Sequence, residues 1–136
     1  MKVLVDTNVY LNLFLKREGC EATKSFFNWC IKNKIQTYVT SLSMRDIQYV
    51  SHKYYHDEKM ARHILYNVYN SVTKVLGVSA DSAIQAIFEN GDYEDRLQLN
   101  TAYENMLDAI ATNNIDDFKD STIPIFLPED LAKVKL

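Results

Sequence analysis

Six aspartates stand where this sequence could do chemistry. Asp6 ends the apolar run Val3-Leu4-Val5 and is followed by Thr7 and Asn8. Asp46 comes shortly after Ser41-Leu42-Ser43, which close a second run. Asp92 and Asp95 bracket the tetrapeptide Asp92-Tyr93-Glu94-Asp95. Asp116 and Asp117 follow Asn113 and Asn114, beyond a third run at 108–112. Carboxylates gathered in one cleft raise each other's pKa values. A bound divalent cation reverses that penalty. A donor set of oxygens, without a Cys or His cluster, selects hard ions such as Mg²⁺ or Mn²⁺. Such a site suits phosphodiester hydrolysis. The metal polarises the phosphate and activates a water, and a two-metal site clamps both oxygens with ions ~3.5–4 Å apart.

Each acid also has a plainer use. Asp6 is able to cap the helix after it, but Thr7 and Asn8 are equally good caps. An acid at the very end of a buried strand therefore points to function. Asp92 is a natural N-cap, and Asp92-x-x-Asp95 has capping-box spacing. Asp46 stands at the same spacing from Ser43, in the first turn of its expected helix. Asp116 and Asp117 suit a turn. What singles these acids out is their common location. Arg45 and Arg96 adjoin two of them in sequence. Helix neighbours point ~100° apart, so both are expected to flank the site rather than pair with the acids. Either arginine can hold a phosphate bidentately.

The elements that must position these groups follow from hydrophobic period. Runs at 3–5, 37–40 and 108–112, with weaker ones at 75–78 and 123–127, predict strands buried on both faces. Spacings of three and four predict amphipathic helices at 8–16, 20–33, 43–55, 58–74, 81–89 and 93–106. The core face of 58–74 is read as Met60, Ile64, Val68 and Val72. That of 81–89 is read as Ile84, Ile87 and Phe88, and that of 93–106 as Leu99, Ala102, Tyr103 and Met106. Strands alternating with helices make an α/β three-layer domain, with function beyond the carboxyl ends of the strands. No linker or repeat interrupts residues 1–136, so one domain is expected.

Four segments in order resemble the PIN-domain family of metal-dependent ribonucleases, which includes the VapC-type toxins. They are VLVDTNVYLNLFLKR at 3–17, TSLSMRDIQYV at 40–50, DYEDRLQLNTAYENMLDAIATNN at 92–114 and DDFKDSTIPIFLPEDL at 116–131. The resemblance implies a central five-stranded parallel sheet flanked by helices. It implies Mg²⁺ or Mn²⁺ binding and endonuclease action on single-stranded or looped RNA. It makes Asp6 a metal ligand and Asn8 its small polar neighbour. Asp46 stands where the family usually has a Glu, one methylene longer. Asp95 matches the third acid, with Asp92 as an outer or second ligand. Many members carry an Asp where this chain has Asn114, and others rely on the position of Asp117. Thr112 matches a residue that orients a ligand or water. The four catalytic acids implied are thus Asp6, Asp46, Asp95 and Asp117.

Composition sets the remaining bounds. The chain has 136 residues, 47% hydrophobic, with a net charge of −3. That balance argues against binding nucleic acid by bulk positive charge. Two divalent ions in the cleft would bring it from −3 to about +1. Cys20 and Cys30, ~15 Å apart along one helix, are beyond disulfide reach. No stretch approaches the ~20 apolar residues of a membrane span, so a soluble, cytoplasmic protein is expected. Lys53-Tyr54-Tyr55-His56 with Lys59, Arg62 and His63 reads either as an RNA-contacting segment or as a solvated helix face. Tyr49, Tyr54, Tyr66 and Tyr69 are expected in the core or between subunits. The family resemblance adds a homodimer and, for toxin members, an antitoxin protein as partner. The uncharged Asn114 and the short Asp46 also leave open a degenerate PIN domain that binds RNA or protein as a scaffold.

Overall fold

Val3, Leu4 and Val5 are fully buried, as a strand covered on both faces requires. Alternate residues face opposite layers: Val3 and Val5 pack with Val9, Phe26, Val39 and Ile47, and Leu4 packs with Leu99, Ala102, Ile110 and Phe118. The computed structural model describes residues 1–71 and 73–135. Its strands are β1 (Lys2–Val5), β2 (Gln36–Thr40), β3 (Thr73–Leu76), β4 (Ala109–Ala111) and β5 (Ile125–Phe126). They form one all-parallel sheet in the order β3-β2-β1-β4-β5. The helices are α1 (Thr7–Phe14), α2 (Cys20–Lys32), α3 (Ser41–Tyr55), α4 (Glu58–Tyr69), α5 (Ala80–Ile87), α6 (Tyr93–Glu104) and α7 (Pro128–Leu131). A short 3-10 turn, Ile115–Phe118, follows β4. The five-stranded parallel sheet flanked by helices is thus the architecture expected.

Strand order reverses between β1 and β4. The chain runs outward from β1 to β3, then returns to β4 on the other side. A crevice opens at such a switch point, beyond the carboxyl ends of the strands. Asp6 ends one of these two strands and Thr112 the other, and Asp6 N–H donates to Ala111 O at 2.9 Å.

Several expectations are corrected. The helix at 58–74 stops at Tyr69, and Thr73 and Lys74 belong to β3. Ser71 ends it locally: its hydroxyl donates to Val68 O and accepts from Thr73 N–H. Val72 lies outside the described residues. α3 starts at Ser41, because Thr40 is the N-cap and accepts from Ser43 N–H at 3.0 Å. Asp46 therefore stands in the second turn and has no capping-box role.

The largest difference concerns α5. Ile84, Ile87 and Phe88 are 56%, 65% and 83% exposed, and the buried side is Ser82 and Ala86. Polar contacts choose that face. Ser79 and Ser82 hydroxyls both donate to Glu104 Oε2 of α6, and Asn100 Nδ2 donates to Ser82 O. Met106 adopts a positive φ of 52° beyond α6 and is exposed. Tyr49, Tyr54, Tyr66 and Tyr69 are exposed rather than in the core. Both cysteines are free. Among the described residues, no helix is long and apolar enough to cross a membrane.

Phe118 is fully buried against Leu4, Leu99 and Ile110 and anchors the 3-10 turn that carries Asp117. Phe118→Ala should lower unfolding stability by ~3–5 kcal/mol, read from urea midpoints. A loss below ~1 kcal/mol, the range of surface substitutions, would contradict this packing.

Candidate active site

Asp6 is 8% exposed, and a buried carboxylate needs donors. Its Oδ1 accepts from Thr7 N–H at 2.8 Å, which makes it the N-cap of α1. Thr112 Oγ1 donates to Oδ2 at 2.9 Å. Gln98 Nε2 donates to Oδ1 at 3.5 Å. Capping and site-building are therefore one arrangement here. Gln98 ties the acid to the rest of the sheet edge: Nε2 also donates to Ser43 Oγ at 2.7 Å, and Oε1 accepts from Thr40 Oγ1 at 2.7 Å. Thr7 Oγ1 donates to the same Ser43 hydroxyl at 2.7 Å. Thr40, Ser43, Gln98 and Thr112 are all nearly or fully buried.

Above this base lies a cleft of about 550 Å³. It is lined by Asp6, Thr7, Asn8 and Leu11 of the β1–α1 junction, Arg45, Asp46, Tyr49 and Val50 of α3, Asp92, Glu94 and Asp95 of the α6 start, and Asp117. Asp92 is the α6 N-cap and accepts from Asp95 N–H at 3.1 Å. Asn114 Nδ2 donates to Asp117 Oδ2 at 2.6 Å, and Asn114 N–H donates to Thr112 Oγ1. Asn114 and Thr112 thus stand behind the cleft and hold its acids. Arg45 Nη1 donates to Asp46 Oδ1 at 3.1 Å. The expectation that it would flank without pairing is overturned, because its long side chain bends back to its neighbour. Arg96 is 7% exposed and lines the adjoining cleft with Asp116 and Asp120, not the acidic one. Its Nη1 lies 3.9 Å from Asp120.

The clustering shows in proton affinity. Burial pushes Asp6 above the ordinary carboxylate range, while its bonds to Thr112, Thr7 and Gln98 pull it down. Burial, then the charges of Asp117, Asp92 and Asp6, raise Asp95 to about 7. Glu94 is raised to about 8, first by a hydrogen bond with the Asp46 carboxyl, then by burial and by the charges of Asp46, Asp6 and Asp92. Asp46 Oδ2 is buried without an N–H or ordinary O–H donor. A cation bound there would supply the missing partner.

That orphaned oxygen, together with a rim of oxygen donors, fits a hard divalent ion by chemistry. The acids ring the cleft rather than converge: among the described residues, no group of three or more His, Cys, Asp or Glu is gathered to hold an ion. Two participants escaped assignment from sequence. Glu94 was visible as a further acid in the first turn of its helix. Gln98 follows Asp95 by three residues and shares its helix face, but nothing local reveals that it is buried beneath Asp6.

The sequence matches the family model of the PIN domain over residues 2–116. Similar solved structures include VapBC2 from Rickettsia felis bound to a DNA fragment from its promoter, with TM-score 0.70, 18% identity, and 93% of this chain and 98% of that chain covered. A toxin–antitoxin complex from Klebsiella pneumoniae has TM-score 0.64 and 23% identity, over 93% and 97% of the two chains. VapC20 of Mycobacterium tuberculosis, a sarcin–ricin-loop-cleaving toxin, has TM-score 0.68 and 13% identity, over 89% and 95%. At these identities the likeness is one of fold. Comparison with curated proteins finds no match.

The raised acids predict a pH dependence. Ordinary values of 3.8 and 4.5 rise in the folded chain to about 7 for Asp95 and about 8 for Glu94. The folded state then binds more protons than the unfolded one between about pH 4 and pH 8, so these groups stabilise at low pH and lose that contribution as pH rises. In EDTA, the Tm of wild type should fall relative to Asp95→Asn/Glu94→Gln across this interval, and Mg²⁺ should restore it. A Tm difference independent of pH would contradict the clustering.

Proposed function

The chain belongs to the PIN-domain family, and from that premise we propose that it is a metal-dependent endoribonuclease. Its substrate is single-stranded or looped RNA, and its biological role is the toxin of a toxin–antitoxin pair. The observation that carries this is Asp6: a buried carboxylate held by three donors at the β1/β4 switch point, facing Asp46, Glu94, Asp95 and Asp117. Asp6, Asp95 and Asp117 would hold Mg²⁺ or Mn²⁺, with Asp92 on the rim and Asp46 as the fourth catalytic acid. Bound there, the ion supplies Lewis-acid polarisation of the phosphate and a more acidic water.

The chain's own residues do the rest. Thr112 and Gln98 fix the Asp6 carboxylate in one orientation. Asn114 fixes Asp117, and Asn8 offers a polar edge beside Asp6. Glu94 adds a longer carboxyl beside Asp46, where reach is short. Arg45 faces the cleft and can meet a phosphate, whereas Arg96 works from behind by lowering the proton affinity of Asp95. One contact favours the scaffold alternative: Arg45 already occupies Asp46 Oδ1.

Two apolar surfaces suit protein partners. A cleft of about 370 Å³ between α1, α2 and α4, lined by Tyr10, Leu13, Phe14, Phe27, Ile31 and Val68, is offered to an antitoxin segment. The exposed Ile84 and Ile87 of α5 and Phe88 at its C-cap are offered to a second copy of the chain.

With Mg²⁺ or Mn²⁺, the wild type should cut single-stranded RNA. Thr112→Val should lose ~10–100-fold activity, as when a ligand's outer hydrogen-bond partner is removed. Asp6→Asn and Asp95→Asn should each lose more. Cleavage surviving both substitutions would sink the site, and no cleavage by wild type with either metal would favour the scaffold. In sedimentation equilibrium the wild type should be a dimer and Ile87→Asp/Phe88→Asp a monomer. A monomeric wild type would remove the proposed dimer.

A further inference from the structure

One face of α3 carries an arrangement that the metal site does not use. Tyr49 lines the acidic cleft and is 48% exposed. One turn before it, the Arg45 guanidinium carbon lies 5.1 Å from the ring centroid. One turn after it, Lys53 Nζ lies 5.3 Å from the same centroid. Residues four apart share a helix face, so a cation–aromatic–cation stripe runs ~12 Å along the axis from the cleft. Arg45 is tethered by Asp46, and among the described residues Lys53 makes no ion pair.

Electrostatics give this stripe a use. A phosphodiester strand entering a cleft of carboxylates meets like charge on every side except where cations stand. Arg45 lines that cleft, Lys53 stands one turn beyond Tyr49 on the same helix face, and both are exposed. Between them is a flat π-surface, the group on which an unpaired base stacks. Exposed cation–π contacts are weak. A base can displace either side chain from the ring, and each released cation then meets a flanking phosphate. The Tyr49 hydroxyl makes no hydrogen bond among the described residues, so the ring is the working part.

We propose that Tyr49 is the stacking platform for an unpaired base next to the phosphodiester to be cut, with Arg45 and Lys53 holding the phosphates on either side. This rests on the nuclease reading above and deepens it, because a duplex presents no unpaired base to the ring. It also makes Tyr49 a determinant of strand preference.

The test is fluorescence anisotropy with labelled single-stranded and duplex RNA oligonucleotides and Mg²⁺, in an Asp6→Asn background that halts cutting. Tyr49→Ala should weaken single-strand binding about 5- to 140-fold, the equivalent of ~1–3 kcal/mol per stacked base at 1.4 kcal/mol per tenfold. Tyr49→Phe should stay within about twofold, because the π-face that carries stacking is kept. Arg45→Gln/Lys53→Gln should flatten the slope of log K against log salt by ~0.7 for each phosphate that is no longer neutralised. Mg²⁺-induced thermal shifts of an otherwise wild-type Tyr49→Ala should remain, showing that the metal cleft is intact. Equal binding by Tyr49→Ala and its parent, or equal damage from Phe and Ala, overturns the proposal. If wild type still cleaves RNA in that event, the nuclease reading stands without it. If wild type neither binds nor cleaves, both fall.

Discussion

Burial of one carboxylate governs this architecture. Asp6 sits where β1 meets β4, and an acid placed there without partners would be several kcal/mol out of place. Its partners come from separate parts of the chain: a backbone N–H of α1, the hydroxyl at the end of β4, and an amide from α6. Each of those is held in turn. Gln98 is pinned by Thr40 and Ser43, and Ser43 by Thr7. The polar network therefore joins the ends of β1, β2 and β4 to α6, and the strand register can hardly slip without breaking it. Fully satisfied polar networks of this kind specify one arrangement at low local dielectric.

The same constraint organises charge. Acids are placed around Asp6 that raise one another's proton affinity, and Asp46 keeps an oxygen without an ordinary donor. An apo cleft of this kind stores electrostatic free energy that a proton or a cation releases. The net charge of −3 is thus concentrated rather than spread. Arg45 lines the cleft beside Tyr49, and Lys53 stands on the other side of that ring, one turn further along α3.

Helix faces illustrate a second competition. Apolar period alone turns Ile84, Ile87 and Phe88 of α5 inward. In the folded chain the serines of that helix meet Glu104 and Asn100 of α6, and those contacts turn the apolar side out. A buried Asn100 without partners would cost more than an exposed Ile or Phe. The result is an apolar face open to solvent. α6 shows the converse, with a continuous buried run from Arg96 to Ala102, because neighbours surround it.

From sequence alone, the strand–helix alternation, the parallel sheet and the gathering of several acids at one sheet edge are legible, since strand runs and the residues directly after them are local features. Asp6, Asp46, Asp92, Asp95 and Asp117 do line one cleft. Tertiary structure decided what depends on distant partners. It placed Gln98 beneath Asp6 and Glu94 against Asp46, and it turned Arg45 back onto its neighbour. It moved Arg96 and Asp116 into the adjoining cleft, and it placed Tyr49, expected in the core or between subunits, on the lining of the acidic cleft. The physical reason is common to all of these. Periodicity tells which residues share a face, but which face is buried is settled by the hydrogen bonds and charges that other elements bring to it.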